Sequence, residues 1–551
     1  MSKRFVRSAV VVVACLVSLV PAATLANGTP ANNRVTRDNQ AGSYTRYDGM
    51  TDTTMESCST NLRAQNEPTI AVDPHNPNVV VAGSNDYCAA VVNGDVWAGY
   101  YRSTDGGTTW KDSLVPGYPA DNSPAGVASP AHGACGAAGD PTQAFDRSGR
   151  LFYGFICFNR AKPVNGSTYV ATYDRDGKRY LRTAIVAEGS PSAIFGGSGL
   201  FQDKINLAVD QTSGPNSGNV YVAWSRYAGR AANNVVLFSR STDHGVTFSP
   251  AIRVSAGLGE ESFADLAVGP NGTIYLTYRT IAHQKSTGDL ISVTRSTDGG
   301  LSFSNPVVVA HIQPFDSNQF SGNGGPDCGD APFDCPTGLT FSRFASLSAI
   351  AADSGGVHLV WNAEQASGQS KIFVAYSSNG TRWPASAIKT IDNNGRGHQY
   401  LPDIASADGV ITVVFYDSRA DSAYSPSLPP GDTAAGSNSG PAVDTFIAQS
   451  SDGGQSWTER LITNVASNFN WETHGARKVP FWGDYIYVSA VHGGLNVSWT
   501  DSRDLVPGTD PRDQTAKDGF DVAQCPDKTK PTNDPCNNTG GLDQNIYAAR
   551  P

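Results

Sequence analysis

Short runs of alternating apolar and polar residues, each closed by a cluster of Gly, Pro, Asn or Asp, follow one another along most of the chain. Runs of this length and period are too short for helices and fit half-buried strands. Seven of them head successive series: Thr69–Val72, Thr142–Phe145, Ile205–Val209, Asp265–Val268, Leu347–Ala351, Asp403–Ala405 and Asp484–Val488. Second runs follow after a turn, among them Val220–Trp224, Thr273–Thr277, Val357–Trp361, Ile411–Val414 and Leu495–Trp499. Helical periodicity is scarce, so an all-β chain is predicted.

A third run in each series ends in a recurring phrase. Arg102-Ser-Thr-Asp-Gly-Gly-Thr-Thr-Trp110 returns at Arg240–Phe248, Arg295–Phe303 and Gln449–Trp457, in shortened form at Ser377–Trp383, and by position alone at Tyr173–Tyr180. The common pattern, Ser-x-Asp-x-Gly-x-Thr/Ser-aromatic, is that of a hairpin turn. Its carboxylate accepts amides of the same turn, its Gly takes a backbone conformation that side chains resist, and its aromatic leads into the next strand. Four strands per unit, with the turn between the third and fourth, describe a blade of a β-propeller. The seven first strands favour seven blades, and the uneven spacing leaves six blades plus an irregular segment open. Asn545–Arg550 is similar to a third strand without its fourth, so a segment within residues 42–62 is expected to supply the missing strand and close the ring. Residues 27–45 read as a polar tail, 46–551 as one propeller domain, and 311–340, 418–442 and 504–542 as long surface loops.

Residues 1–26 place Lys3, Arg4 and Arg7 before an apolar run that ends in small residues, the pattern of a secretory signal peptide cleaved after Ala26. That apolar run is too short and too early for a membrane anchor, and no later stretch approaches the ~20 apolar residues of a spanning helix, so no membrane anchor is expected. A location outside the cell or in a periplasm follows, and the remaining eight cysteines read as four disulfides. Cys328–Cys335 and Cys525–Cys536 would close local loops, and Cys58–Cys88 and Cys135–Cys157 are expected for the rest. No Cys-x-x-Cys occurs, which argues against a zinc ribbon or a thioredoxin-type site. The formal charge of −10, or −13 without the three bases of residues 1–26, disfavours a nucleic-acid partner.

The repeated turns resemble the Asp-box, or BNR, repeats of sialidases, over roughly residues 64–550. Asn66-Glu-Pro-Thr-Ile-Ala-Val-Asp73, Asp203-Lys204, Gly483-Asp-Tyr485 and Trp499-Thr-Asp-Ser-Arg503 are similar to phrases of exported bacterial sialidase-like proteins. The resemblance implies that Asp105, Asp243, Asp298 and Asp452 are structural residues on the outer rim, away from the site at the axis. It also implies a carbohydrate or glycoconjugate partner and an arginine in an Arg-Ile-Pro motif at the first inner strand. Asn66-Glu67-Pro68 stands there instead, and Asn66 has neither the charge nor the fork that clamps a carboxylate.

Inner-strand entrances converge near the axis of a propeller, and here they are polar. The candidates for catalysis are Asp140, Arg343, Asp403, Asp484 and Tyr485, and those for substrate binding are Glu67, Asp203, Lys204 and Tyr400, with Asp265 and His398 nearby. Tyrosine beside an acid suits a nucleophile and its base, and a further acid suits protonation of a leaving group. Arg419 and Arg503 are expected to pair within their blades with Asp444 and Asp543. No metal-ligand motif is present, and no cofactor is expected. The acidic loop Asp501, Asp504, Asp510, Asp513 and Asp518 fits no defined Ca²⁺ loop and reads as solvated charge, with structural Ca²⁺ as the alternative. The function expected is that of a secreted sialidase-like glycoside hydrolase acting on an extracellular glycan. The alternatives are a propeller that binds glycans or proteins without catalysis, and a polysaccharide lyase.

Overall fold

β-Branched and aromatic residues at alternate positions pair into antiparallel sheets. The computed structural model describes residues 28–38, 40–56, 64–89, 95–160, 164–194, 198–228, 234–282, 288–315, 346–391, 395–431, 433, 439–473, 481–505, 522–523 and 544–551. Five sheets have four strands each. A nine-stranded sheet joins two further four-stranded sets through the single parallel pairing Phe201↔Gly166, with Ser190–Ile194 added alongside. Each set runs outward from a first strand: Gln65–Val72, Ala137–Phe145, Ser198–Val209, Glu260–Val268, Ser348–Ala352, Gln399–Ala407 and Tyr487–Val491. Successive first strands lie against one another in chain order, and the last lies against the first. Side chains stitch some of these neighbours together: Ile350 N donates to Asp265 (2.7 Å), Val488 N to Asp403 (2.7 Å) and Val72 N to Ser489 (3.0 Å). No sheet among the described residues closes on itself through backbone pairing.

The core lies between adjacent sheets, and the aromatics of the repeated turns enter it. Trp110 packs with Val72, Ile546 and Ala548, and the ring of Phe303 meets Phe238 edge-on at 4.7 Å. The turns themselves are alike. In the third, Asp298 accepts bonds from Ser296 Oγ, the amides of Leu301 and Ser302, and Ser302 Oγ. Burial is the largest single influence on the Asp243 and Asp298 carboxyls and raises them, but the hydroxyl and amide donors together outweigh it and bring both to about 2. Asp298→Ala leaves those amides without their acceptor and is expected to lower stability by about 1 kcal/mol, as for a lost helix cap, read by urea unfolding. An unchanged midpoint would show that the turn holds without its carboxylate.

The N-terminal expectation needs correction. The outer strand beside Asn545–Ala549 is Asn33–Arg34, with Asn33 opposite Ala548 and Arg34 opposite Tyr547, not a segment within 42–62. The described residues of the expected polar tail, 28–38 and 40–45, are docked on the sheets: Val35 and Tyr44 are buried, Arg34 pairs with Asp38 at 2.7 Å, and the Tyr44 hydroxyl donates to Asp86 at 2.7 Å. An unpaired third strand would have left a row of bare amides and carbonyls, and these two polar residues cover it. Cys135 and Cys157 form a disulfide as expected. Cys58 and the cysteines at 328, 335, 525 and 536 lie outside the described residues.

One irregularity recurs. Pairing of first with second strand slips between Asn66 and Thr69, Gly139 and Thr142, Asp203 and Asn206, Ser262 and Asp265, and Tyr400 and Asp403. At each slip one residue other than Gly is left-handed: Glu67 (φ 55°), Asp140 (49°), Lys204 (51°), Phe263 (58°) and Leu401 (50°). Such a conformation costs on the order of 1 kcal/mol or more per residue and persists only where the surroundings impose it. The slips are bulges that re-aim the side chains they carry.

Candidate functional site

Three of these re-aimed positions, Glu67, Asp140 and Lys204, meet beside the segment that leads into the last first strand. The Trp482–Tyr485 segment of the last set crosses onto Glu67 of the first, where Glu67 N donates to Trp482 O (3.3 Å) and Asp484 N to Glu67 Oε1 (3.2 Å). Gly483 (φ 97°) makes this approach possible, since a Cβ there would stand 2.2 Å from Glu67 Cγ. Asn85 Nδ2 donates to Glu67 Oε2 at 2.7 Å, and Asn85 Oδ1 accepts Asp140 N at 2.8 Å. Lys204 Nζ reaches Asp140 Oδ2 at 3.3 Å and bonds Asp484 Oδ2. The Tyr485 hydroxyl donates to Glu67 Oε2 at 3.4 Å. Glu67, Asp140, Asp203, Lys204, Asp484 and Tyr485, six of the nine candidates, thus form one cluster drawn from four sets of strands.

Four carboxylates around one ammonium set the electrostatics. Burial would discharge Lys204, but Asp140, Asp484, Asp203 and Glu67 outweigh it and hold the ammonium well above its ordinary range. Burial lifts the Asp203 carboxyl to about 7, Lys204 opposing the rise and Asp140, which shares a hydrogen bond with it, adding to it. Burial and then the charges of Glu67 and Asp140 push the Tyr485 phenol far up. It does not ionise unaided, and Glu67 is the group placed to take its proton.

Asp203 carries a pH dependence. Its folded value of about 7 exceeds the unfolded value of ~3.9, so the native state holds the extra proton between them. Stability is then fully present below about pH 4 and falls as pH rises toward 7, by a few kcal/mol at about 1.4 per unit. Asp203→Asn mimics the protonated acid, keeps a donor toward Asp140 at every pH, and is expected to flatten this slope. Urea unfolding at pH 5 and pH 8 reads it; a variant with the wild-type slope would exclude Asp203 as its source.

Below the cluster lies a second tier. Asp265 accepts Asn206 Nδ2 (2.8 Å), Leu266 N (2.8 Å) and Ile350 N (2.7 Å), and burial still raises it to about 7. Asp403 is raised well above its usual range by burial and by Asp265. It stands two residues past its slip, so it lines the inner cavity and not the cluster above. That cavity holds about 60 Å³, lined by Lys204, Phe263, Leu347, Asp403, Tyr485 and Tyr487, space for a few waters.

The remaining expectations fare otherwise. Tyr400 is fully buried against Tyr416 and Phe469, ring centroids 5.8 and 5.4 Å away, so it is a core residue and no part of the cluster. His398 is buried as well and driven down to about 4 by that burial. Arg343 lies outside the described residues. Asn66 turns away, donating to Gln544 Oε1 (3.1 Å) and accepting from Asn85 (3.2 Å). Arg419 pairs within its own set, but with Asp417 (2.7 Å) and Glu459 (2.8 Å), while Asp444 takes a bond from Thr463 (2.7 Å). Arg503 pairs with Asp501 (2.6 Å), and Asp543 lies outside the described residues. Asn85, Asn206 and Tyr487 escaped the sequence reading. Their only signal is their place relative to Asn66-Glu67-Pro68 and its counterparts. Among the described residues no three His, Cys, Asp or Glu are grouped to hold a metal, and Asp510, Asp513 and Asp518 fall outside them. No described helix is long and apolar enough to cross a membrane.

No family model matches the sequence, and no curated protein does. Among solved structures, the chain is similar to a Trypanosoma rangeli sialidase at 14% identity and a TM-score of 0.41, over 76% of this chain and 58% of that one. It is similar to a Penicillium chrysogenum α-L-arabinanase at 14% identity and 0.41, over 73% and 94%. A leech intramolecular trans-sialidase follows at 12% and 0.39, with 65% of each chain covered.

Proposed function

We propose that this is a secreted seven-bladed β-propeller that hydrolyses a neutral extracellular glycan, with Glu67, Asp203 and Tyr485 in the reacting positions. The bladed arrangement is supported by first strands that neighbour one another in sequence and return from the last to the first. Catalysis is supported above all by the Tyr485 hydroxyl held on Glu67. In this reading Tyr485 Oη attacks the anomeric carbon while its proton passes to Glu67. Asp203, which keeps its proton near neutral pH, gives it to the departing oxygen. Water then cleaves the aryl glycosidic bond to Tyr485: the ionised Asp203 takes a proton from that water, and Glu67 returns its proton to the departing phenolic oxygen. Lys204 and Asp140 position Asp203. Four carboxylates facing one lysine repel an anionic sugar, and Asn66 offers no clamp for one. The small cavity favours a second reading, a propeller that binds glycan at this mouth without cleaving it.

A panel of aryl glycosides that includes a sialoside tests both. Release from a neutral glycoside, none from the sialoside, and a loss of about 10²–10⁴-fold in kcat for Glu67→Gln are expected. Release from none of them would leave the binding reading.

A further inference from the structure

A larger cleft lies at the other end of the strands. It is about 440 Å³, within the range of small-ligand sites, and lies between the set headed by Ser348–Ala352 and the set headed by Gln399–Ala407. Its walls come from the turns that follow these first strands and from the repeated turn at Asp452. From Leu401, at the slip, to Gly409, in the cleft, the chain runs eight residues, about 26 Å at the strand rise.

Within the cleft the side chains are unevenly satisfied. The Asp353 carboxylate accepts the amides of Gly355 (2.7 Å) and Gly356 (3.1 Å) and a bond from Ser406, and stands 3.7 Å from His358 Nε2. The imidazole and then the serine hold Asp353 well below its usual range. His358 is 1% exposed, and its other nitrogen, Nδ1, has no hydrogen-bond partner. That nitrogen is itself closed to solvent, so what the imidazole gives the cleft is a fixed wall behind Asp353 and Tyr376. Tyr376 packs on that imidazole at 5.3 Å between centroids, and its hydroxyl is committed to Gly355 O at 2.8 Å, so its half-buried ring offers an apolar plate. Exposed Lys389 and Gln455 stand on the rim, and nothing lies within 4 Å of where a Cβ would be on Gly409 or Gly453, so bare backbone is open to a ligand.

We infer that this cleft binds a neutral oligosaccharide, as a second carbohydrate site at the opposite end of the strands from Glu67 and Tyr485. The chemistry selects the class. Asp452 spends its carboxylate on Ser450, Ser456 and the amides of its own turn, and Asp353 spends its own as above, so neither is left for a cation. One lysine beside two acids does not attract a polyanion. Hydroxyl groups, which both donate and accept, suit a rim that mixes an ammonium, an amide side chain and open backbone, and one face of a sugar ring suits the tyrosine. Two sites about a strand length apart on one polymer chain would raise the effective concentration of substrate at the first.

The test uses the full chain with cellohexaose, xylohexaose and mannohexaose as probes. At least one is expected to slow amide exchange in residues 353–358 and 452–456. Gln455→Ala and Tyr376→Ala are each expected to raise its Kd about tenfold. Gln455 is exposed and makes no core contact, so its variant reads the cleft even if Tyr376→Ala disturbs packing. Exchange unchanged in both segments with all three probes overturns the assignment. So does a Kd that survives both cleft substitutions and shifts only with Tyr485→Phe; that result moves the binding to the mouth and leaves the proposed chemistry there standing.

Discussion

Lys204→Met is expected to lower stability by about 3–5 kcal/mol at pH 7, the usual cost of removing one partner from a buried ion pair. The ammonium bonds Asp484, whose side chain is 1% exposed, and sits 3.3 Å from Asp140, at 11%. Methionine keeps the length and apolar stem of lysine but leaves those carboxylates facing each other, with Glu67 and Asp203 beside them. The backbone strain at φ 51° is the same for either residue, so the loss reports the charge. Acid should repair it. Without the cation the carboxylates protonate more readily, and the gap between variant and wild type should narrow as pH falls from 7 to 5. Adding Asp484→Asn should restore part of the loss. Urea unfolding of the two variants at both pH values checks this; a loss under 1 kcal/mol at pH 7 would mean that solvent, not Lys204, balances the cluster.

That cluster was only half legible in the sequence, for a reason visible at single residues. The repeated turns were readable because the bonds of their carboxylates are local: Asp298 reaches no farther than Ser302. Strands were readable from alternation, yet alternation assumes an unbroken register. Slips at Glu67, Asp140, Lys204, Phe263 and Leu401 break it, and beyond each slip the faces exchange. Tyr400 shows the consequence. Reading straight along its strand puts it at the entrance, whereas at the slip Tyr400 and Leu401 both enter the core. Pro68, Pro141 and Pro402 mark three of the slips, but Ile205 and Ala264 follow the other two, so proline alone does not find them. The closing strand was hidden differently. Asn33–Arg34 is two polar residues with no period to read, and what places them is the open edge of Asn545–Ala549, more than 500 positions away. Glu67 and Asp484 are likewise far apart in sequence, and only the meeting of the first and last sets makes them neighbours.

On the glycoside that the wild type cleaves, Tyr485→Phe is expected to cut kcat by at least about 10³-fold while leaving the fold intact, the scale of loss that follows removal of a nucleophile. The substitution removes one hydroxyl whose bond to Glu67, at 3.4 Å, is long, and the ring keeps its edge-on contact with Tyr487 at 5.7 Å, so little stability is at stake. A structural tyrosine would behave in the opposite way, shifting the unfolding midpoint and sparing the rate. The pH profile adds a readout that packing alone would not move. Asp203 must hold its proton to act as acid, and its value of about 7 places the alkaline limb of activity near neutrality. Asp203→Asn should erase that limb together with most turnover of substrates with poor leaving groups, and spare the kcat/KM of those whose leaving group needs no proton, because only the second step then lacks its base. Full activity in Tyr485→Phe would remove the tyrosine from the chemistry and leave Glu67 and Asp203 as a carboxyl pair acting directly on water.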